Sequence, residues 1–270
     1  MMFDGKAFAA RRREELLKAR SAFGDVSLAV VMGEGDPVTS SFVRVKERNA
    51  DALHVRLVRY LIPNDATTED VLELIGEASK ESGMIVQLPL PSGIEGEVVL
   101  AAIPPEKDVD ALSPASRQRL EAGDLSVIPP VAAAIYSIIK GEHFEIQNKK
   151  SVVVGKGRLV GAPCASLLSA LGAEVVIVDK NDDVAAHTKS ADIIVLGAGA
   201  PHFLKPEMVK EGVVIFDAGT SESSGVVVGD ANPAVAEKAS FFTPTPGGIG
   251  PVAVVEIFGN LFNLLENKSG

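Results

Sequence analysis

The sequence predicts an α/β protein of two lobes, each built on a parallel sheet with helices over it. Short β-branched runs alternate with helix-length amphipathic segments from end to end, the pattern that strand–helix–strand units leave in a sequence. At 270 residues the chain is long for one compact core, so two domains are expected. Hydrophobic residues make up 46% and charged residues 23%, enough apolar material to bury a core in each lobe.

In the first half the expected strands are residues 27–32, 55–61 and 84–88, with helical patterns beginning near Asp36-Pro37 and Thr67. Pro37 suits a first helical turn, because its missing N–H would be unpaired there in any case. Thr67 and Asp70 have the spacing of a capping box, and Val71, Leu74, Ile75 and Ala78 continue one apolar face. After a polar bridge over 141–150, strands are expected at 151–154, 174–178, 192–196 and 213–217. The last segment, 251–266, is apolar at Val254, Val255, Phe258, Leu261, Phe262 and Leu265 and reads as a packed terminal helix.

Charge and cysteine content narrow the function. A net charge of -10 opposes a phosphate-backbone partner, so no nucleic acid is expected. The lone Cys164 cannot close an internal disulfide and no Cys/His cluster offers a metal site, which fits a reducing, cytoplasmic setting. Apolar runs such as 131–139 fall short of the ~20 residues that span a bilayer, so no membrane partner is expected.

The strand at 151–154 runs into Gly155-Lys156-Gly157-Arg158-Leu159-Val160-Gly161, a glycine-rich turn opening a helix. Glycines let the backbone approach a pyrophosphate, and a helix N-terminus offers unpaired N–H groups to hold it. Asp179 stands at the end of the next strand, where an acid can bind ribose hydroxyls; capping of the helix after Asn181 is the other reading. Together they point to a Rossmann-type nucleotide-binding domain, with Gly155, Lys156, Gly157, Arg158, Gly161 and Asp179 as cofactor ligands. A 2′-phosphate would meet Asp179, Asp182 and Asp183, which favours NAD over NADP, with Lys156 and Lys180 partly offsetting the carboxylates.

Three stretches then resemble the methylenetetrahydrofolate dehydrogenase/cyclohydrolase family: Met84-Ile85-Val86-Gln87-Leu88-Pro89-Leu90-Pro91, Pro105-Glu106-Lys107-Asp108-Val109-Asp110, and Pro244-Thr245-Pro246-Gly247-Gly248-Ile249-Gly250-Pro251. Asp4-Gly5-Lys6 and Val228-Gly229-Asp230 extend the resemblance over almost the whole chain. It implies a folate-side lobe over 1–122, to which the terminal helix 251–270 returns, a nucleotide-binding domain over 123–250, a cleft between them, and a homodimer. It also implies two reactions: oxidation of 5,10-methylene-tetrahydrofolate with NAD or NADP, and hydrolysis of the methenyl product to 10-formyl-tetrahydrofolate.

The family's Tyr-x-x-x-Lys is here Phe42-Val43-Arg44-Val45-Lys46, whose i, i+4 spacing puts Phe42 and Lys46 on one helix face. The resemblance makes Phe42 a stacking surface for the aminobenzoyl group and Lys46 the proton carrier of hydrolysis, provided that its pKa falls. Gln87 would hold Lys46 or substrate, and Asp110 would accept from the pterin N–H groups. Pro246, Gly247, Gly248 and Gly250 would shape a loop near folate. By sequence alone Lys46 could be a solvated helix lysine, Gln87 a plain strand end, and Asp110 a cap for the helix from Ser113. The chain departs from the family in Phe42 for tyrosine, in Ala111 for glycine, in Pro129-Pro130-Val131-Ala132 for Pro-Cys-Thr-Pro and in Gly155-Lys156-Gly157 for Gly-Arg-Ser. Two other classes fit parts of the sequence: a non-catalytic folate or nucleotide binder, and a dehydrogenase of another small substrate, which the second half alone permits.

Overall fold

The computed structural model describes the chain apart from Asp36, Lys180, Ser224, Gly225 and Gly270, and apart from the side chains of 37–41, 222, 223, 226, 268 and 269. Asp36, expected at a helix start, and Lys180, expected near the ribose, thus lie outside the described residues. The chain forms two compact units, Arg11–Ile128 with Val254–Gly270, and Met1–Ala10 with Pro129–Ala253. Helix α1 (Gly5–Arg20) begins in the second of these and ends in the first.

The first unit holds a three-stranded parallel sheet of order β2-β1-β3, from β1 (Ser27–Gly33), β2 (Arg56–Ile62) and β3 (Gly83–Val86). Central β1 is buried on both faces, as its unbroken run Leu28-Ala29-Val30-Val31-Met32 requires of a covered parallel strand. Helix α2 (Pro37–Ala52) crosses from β1 to β2, and α3 (Thr68–Ala78) from β2 to β3. The Thr67 hydroxyl accepts from the Asp70 N–H and the Asp70 carboxylate accepts from the Thr67 N–H, closing the expected capping box. Val71, Ile75 and Ala78 are the buried face of α3. Strand β3 stops at Val86, short of the expected 88, because the chain turns into Pro89, which has no N–H to continue the ladder. Two short helices, α4 (Gly96–Ala101) and α5 (Pro114–Glu121), complete this part of the chain.

The second unit follows α6 (Pro130–Gly141) with β4 (Lys150–Val154), α7 (Gly161–Ala170), β5 (Glu174–Val178), α8 (Val184–Thr188), β6 (Ile193–Leu196) and β7 (Val214–Asp217). A hairpin of β8 (Ser221–Ser223) and β9 (Val226–Val228) precedes β10 (Phe241–Thr243). The five-stranded sheet is parallel throughout, in the order β10-β7-β6-β4-β5. Counted from β4 this is the doubly wound order 2-1-3-4-5, which reverses between β4 and β6 and opens a ligand crevice at the carboxyl ends of those two strands. Strand β10 was not expected from the sequence. Its Phe241 packs on Phe3, Phe144 and Phe216, so an aromatic cluster rather than a long β-branched run holds it in place.

Terminal helix α9 (Ile249–Ser269) starts two residues earlier than the sequence suggests. Its Asn260 amide donates to the Val109 and Ile128 carbonyls at 2.9 and 2.7 Å, and Glu256 accepts from Arg12 at 2.8 Å, fixing the helix to the first unit. Over Ile249–Asn267 the helix is long and apolar enough to cross a membrane, although no single apolar run is. Its Val252, Val255, Phe258, Leu261 and Phe262 are nevertheless buried within the protein.

Candidate active site

Three predicted residues of the first unit meet at the carboxyl end of its sheet. Lys46 projects from α2 and is only 8% exposed, which removes the solvated-lysine reading. Its Nζ donates a short hydrogen bond to Gln87 Oε1, while Gln87 Nε2 donates to the Leu88 carbonyl at 2.9 Å and fixes the amide orientation. Gln87 is held in turn by its backbone N–H, which donates to Val31 O at 2.8 Å and brings the residue off the end of β3 beside β1.

Asp110 reaches the same end because the segment before it runs parallel to β3. Met84 N–H donates to Lys107 O at 2.7 Å and Val109 N–H to Met84 O at 3.2 Å. Asp108 then spends its buried carboxylate on the N–H groups of Leu112 and Ser113. Ser113 itself caps α5 by accepting from Ser116 N–H, so Asp110 is not the helix cap. Ala111 sits at φ 52, a left-handed conformation that glycine adopts freely and alanine does not, which accounts for the family's glycine at this place.

The Asp110 Oδ1 atom is buried and has no hydrogen-bond partner among the described residues, in a residue that is otherwise half-buried. A buried carboxylate oxygen without a donor is costly and marks a place where a ligand N–H belongs. Burial pushes the Asp110 carboxyl up to about 6; the charge of Lys46 opposes that rise and the charge of Asp108 adds to it. Burial also lowers the pKa of Lys46, against the pull of Asp110. For both groups, loss of water outweighs mutual attraction. Phe42, one turn before Lys46, is 61% exposed, so its ring face is open to a flat partner.

In the second unit the glycine turn leads from β4 into α7. Gly155, at φ +114, has no room for a Cβ, which would stand 2.4 Å from Gly197 O. A Cβ on Gly161 would stand 2.0 Å from Gly155 O, whereas Gly157 faces open space. Sterics therefore demand Gly155 and Gly161 but not Gly157. Lys156 is exposed and lies 3.9 Å from Asp182. Asp179 directly follows β5, and its Oδ1 accepts from the Asn181 backbone and amide at 3.1 and 2.8 Å. Helix α8 is capped by Asp183, which accepts from Ala186 N–H, so Asp179 is not that helix's cap either.

The loop 244–250 belongs to this same unit. Gly247 takes φ +102, and Gly5 packs on it so closely that a Cβ at Gly5 would stand 1.9 Å from Gly248 O. Gly248 has no room for a Cβ beside Thr243 and Pro244, and Gly250 lies in the first turn of α9. Pro246 follows a cis peptide bond.

Sequence reasoning missed Asp217, noted only as the end of the strand expected over 213–217, and Asp230, noted only within Val228-Gly229-Asp230. Asp217 is 1% exposed and accepts from the N–H groups of Gly219, Asp230 and Ala231. Burial pushes its carboxyl up to about 6 against those hydrogen bonds, with the Asp230 charge adding to the rise. Asp230 is fully buried and accepts from Ala198, Gly199 and Ala200. An acid beside glycine, as in Asp217-Ala218-Gly219 and Gly229-Asp230, was the available signal.

A unit with a doubly wound sheet and a glycine turn at its reversal, and a second unit carrying a buried lysine with an amide and a carboxylate, define a two-unit dinucleotide-binding enzyme fold. The catalytic-domain model of tetrahydrofolate dehydrogenase/cyclohydrolase matches residues 3–110, and the NAD(P)-binding-domain model of the same enzymes matches 129–269. The chain belongs to the tetrahydrofolate dehydrogenase/cyclohydrolase family. It is 36% identical to the bifunctional protein FolD of Lactobacillus delbrueckii subsp. bulgaricus, over 100% of this chain and 98% of that one. The crystal structure of a bifunctional FolD methylenetetrahydrofolate dehydrogenase/cyclohydrolase from Campylobacter jejuni superposes with a TM-score of 0.95 at 30% identity, covering 99% of both chains. A Trypanosoma brucei methylenetetrahydrofolate dehydrogenase-cyclohydrolase, solved with NADP and an inhibitor, gives 0.92 at 29% identity, over 100% of this chain and 98% of that one.

Proposed function

We propose that this protein oxidises 5,10-methylene-tetrahydrofolate to the methenyl compound with a nicotinamide dinucleotide, and hydrolyses the methenyl compound to 10-formyl-tetrahydrofolate. The observation that carries the reading is the group of buried Lys46 and half-buried Gln87 and Asp110, with one buried carboxylate oxygen left for a ligand. Asp110 accepts from the pterin ring N–H and amino group, and Phe42 stacks on the aminobenzoyl ring.

In hydrolysis, water adds to the cationic methenyl carbon and gives up a proton; the bond to one nitrogen then breaks as that nitrogen takes a proton and the carbinol oxygen releases its remaining proton to solvent, leaving the formyl group. Lys46 receives and returns this proton; its lowered pKa makes the neutral amine accessible, and the cationic ligand lowers it further. Gln87 keeps the amine aimed by accepting one of its N–H groups.

Gly155 and Gly161 let the backbone close on a pyrophosphate, Lys156, Gly157 and Arg158 line the turn, and α7 presents its N-terminus. Bound there, the nicotinamide supplies the hydride acceptor. NAD is favoured over NADP, because Asp179, with Asp182 and Asp183 close in sequence, confronts a 2′-phosphate with like charge. Lys156 lies 3.9 Å from Asp182, whose charge partly offsets its own.

We place the protein in the cytoplasm, in keeping with its single buried cysteine. We also assign it as a homodimer. On the edge strand β5, neighbouring Val176 and Ile177 point to opposite faces and are each 43% exposed, apolar surface that a second copy would cover. Identification of the 10-formyl product by mass spectrometry, after incubation with methylene-tetrahydrofolate and dinucleotide, tests the reading. Binding of both compounds without turnover would contradict it.

A further inference from the structure

We propose that Asp230, seated on Asp217, is a positioning residue that fixes the β6 side of the dinucleotide crevice by holding the backbone of residues 198–200. The inference rests on the dinucleotide site proposed above and assigns a role to two buried acids that the folate chemistry does not use.

The two carboxylates accept from six backbone N–H groups and, among the described residues, from no cation: Ala198, Gly199 and Ala200 on Asp230, and Gly219, Asp230 and Ala231 on Asp217. Burying two neighbouring acids is costly, and apolar side chains would fill the same space at lower cost. What acids provide and apolar groups do not is a fixed position for several backbone donors at once.

The local sequence makes room for them. A Cβ at Gly219 would stand 2.3 Å from Asp230 Cγ, and one at Gly229 would stand 2.1 Å from Asp217 Oδ2. The backbone they hold lies at the reversal of the sheet. Val154 pairs with Leu196 and Leu196 with Asp217, so Gly155, Gly197 and Ala218 leave their strands at one level. Gly197 O is the atom that a Cβ on Gly155 would strike, and Val160 of the glycine turn occupies the space beside Gly197. A shift of 198–200 therefore moves one wall of the turn that receives the pyrophosphate. On its other side Asp217 donates its N–H to Thr243 Oγ1 at 2.8 Å, and its carbonyl accepts from the Thr245 hydroxyl at 3.1 Å, so the acids are themselves held by the start of the 244–250 loop.

The test uses the full chain with Asp230→Asn, whose amide nitrogen faces N–H donors where a carboxylate oxygen accepted from them. The expected result is a dinucleotide KM raised about tenfold or more, the effect of losing hydrogen bonds to a charged acceptor. Methenyl hydrolysis, assayed without dinucleotide, and the folate KM should stay within about threefold, because neither draws on this backbone. Addition of dinucleotide should also raise Tm less in the variant than in the wild type. An unchanged dinucleotide KM, or hydrolysis that falls in step with oxidation, overturns the positioning role. A wild type that binds neither NAD nor NADP instead overturns the dinucleotide site and the inference with it. If Asp230→Asn does not fold, Gly199→Ala decides. Gly199 has φ +64 and open space for a Cβ, so the change strains residues 198–200 without removing a charge. A severalfold rise in dinucleotide KM with unchanged hydrolysis is expected, and no rise overturns the proposal.

Discussion

Lys46 donates to Gln87 Oε1, and the Gln87 amide nitrogen is committed to the Leu88 carbonyl at 2.9 Å, so the glutamine can present only its oxygen to the lysine. Gln87→Leu should therefore free the amine to swing away from the methenyl carbon. We expect hydrolysis to fall about tenfold to a hundredfold, within the range of a general acid–base contribution, and oxidation to fall less. Steady-state rates of both steps on one preparation check this, and equal losses would separate Gln87 from Lys46.

The other end of the α2 face carries the ring that has lost a hydroxyl. Phe42 keeps a stacking surface, but no phenol is available to hydrogen-bond beside the buried amine. Phe42→Tyr should raise methenyl hydrolysis more than methylene oxidation. Absence of any gain in hydrolysis would make Phe42 a neutral stacking substitution.

How much of this was legible in the sequence differs between the two units. Periodicity alone located β1 and the covered strands of the second sheet, because parallel strands buried on both faces read as apolar runs, and it also located β2, an edge strand that stays largely exposed. The pairing of Lys46 with Gln87 came from motif resemblance, since 41 residues separate them and no local pattern joins α2 to the end of β3. Phe241–Thr243 escaped notice as a strand because an aromatic cluster with Phe3 and Phe144 stabilises it, which only the folded chain brings together. Asp217 and Asp230 escaped for the same reason: apart from Gly219, the backbone N–H groups they accept from lie 13 to 32 residues away in sequence.

The folate site should respond to pH through Asp110. Its carboxyl, pushed up to about 6, must be ionised to accept two pterin donors, so kcat/KM for folate should fall as pH drops below about 6. Asp110→Asn should lower kcat/KM and remove that inflection. Stability carries the opposite sign from an ordinary salt-bridged acid. The folded state binds the Asp110 proton more tightly than the unfolded chain, so this group's contribution to stability is lost as pH rises from about 3.8 to about 6. Asp217, also pushed up to about 6, acts in the same sense, so Asp110→Asn should lessen the decline in Tm over that window without abolishing it.

Cofactor choice should turn on Asp179. Its carboxylate lies at the end of β5, held by Asn181, and an exposed ribose pocket should give like-charge repulsion of only ~1–2 kcal/mol, about tenfold in kcat/KM for NAD over NADP. Asp179→Ser should narrow that ratio. A wild-type preference for NADP that the substitution leaves unchanged would remove Asp179 from the ribose site.

The most direct test of the central claim is one absorbance trace, following methenyl-tetrahydrofolate in a mixture of methylene-tetrahydrofolate and dinucleotide for wild type and Lys46→Met. In the wild type the methenyl signal should rise and then decay as water adds. In Lys46→Met it should still rise with dinucleotide, but its enzymatic decay should slow by ~10² to 10⁴, the usual cost of losing a proton carrier. Decay as fast as in the wild type, or equal loss of formation and decay with folate still bound, would contradict the assignment of hydrolysis to the buried lysine.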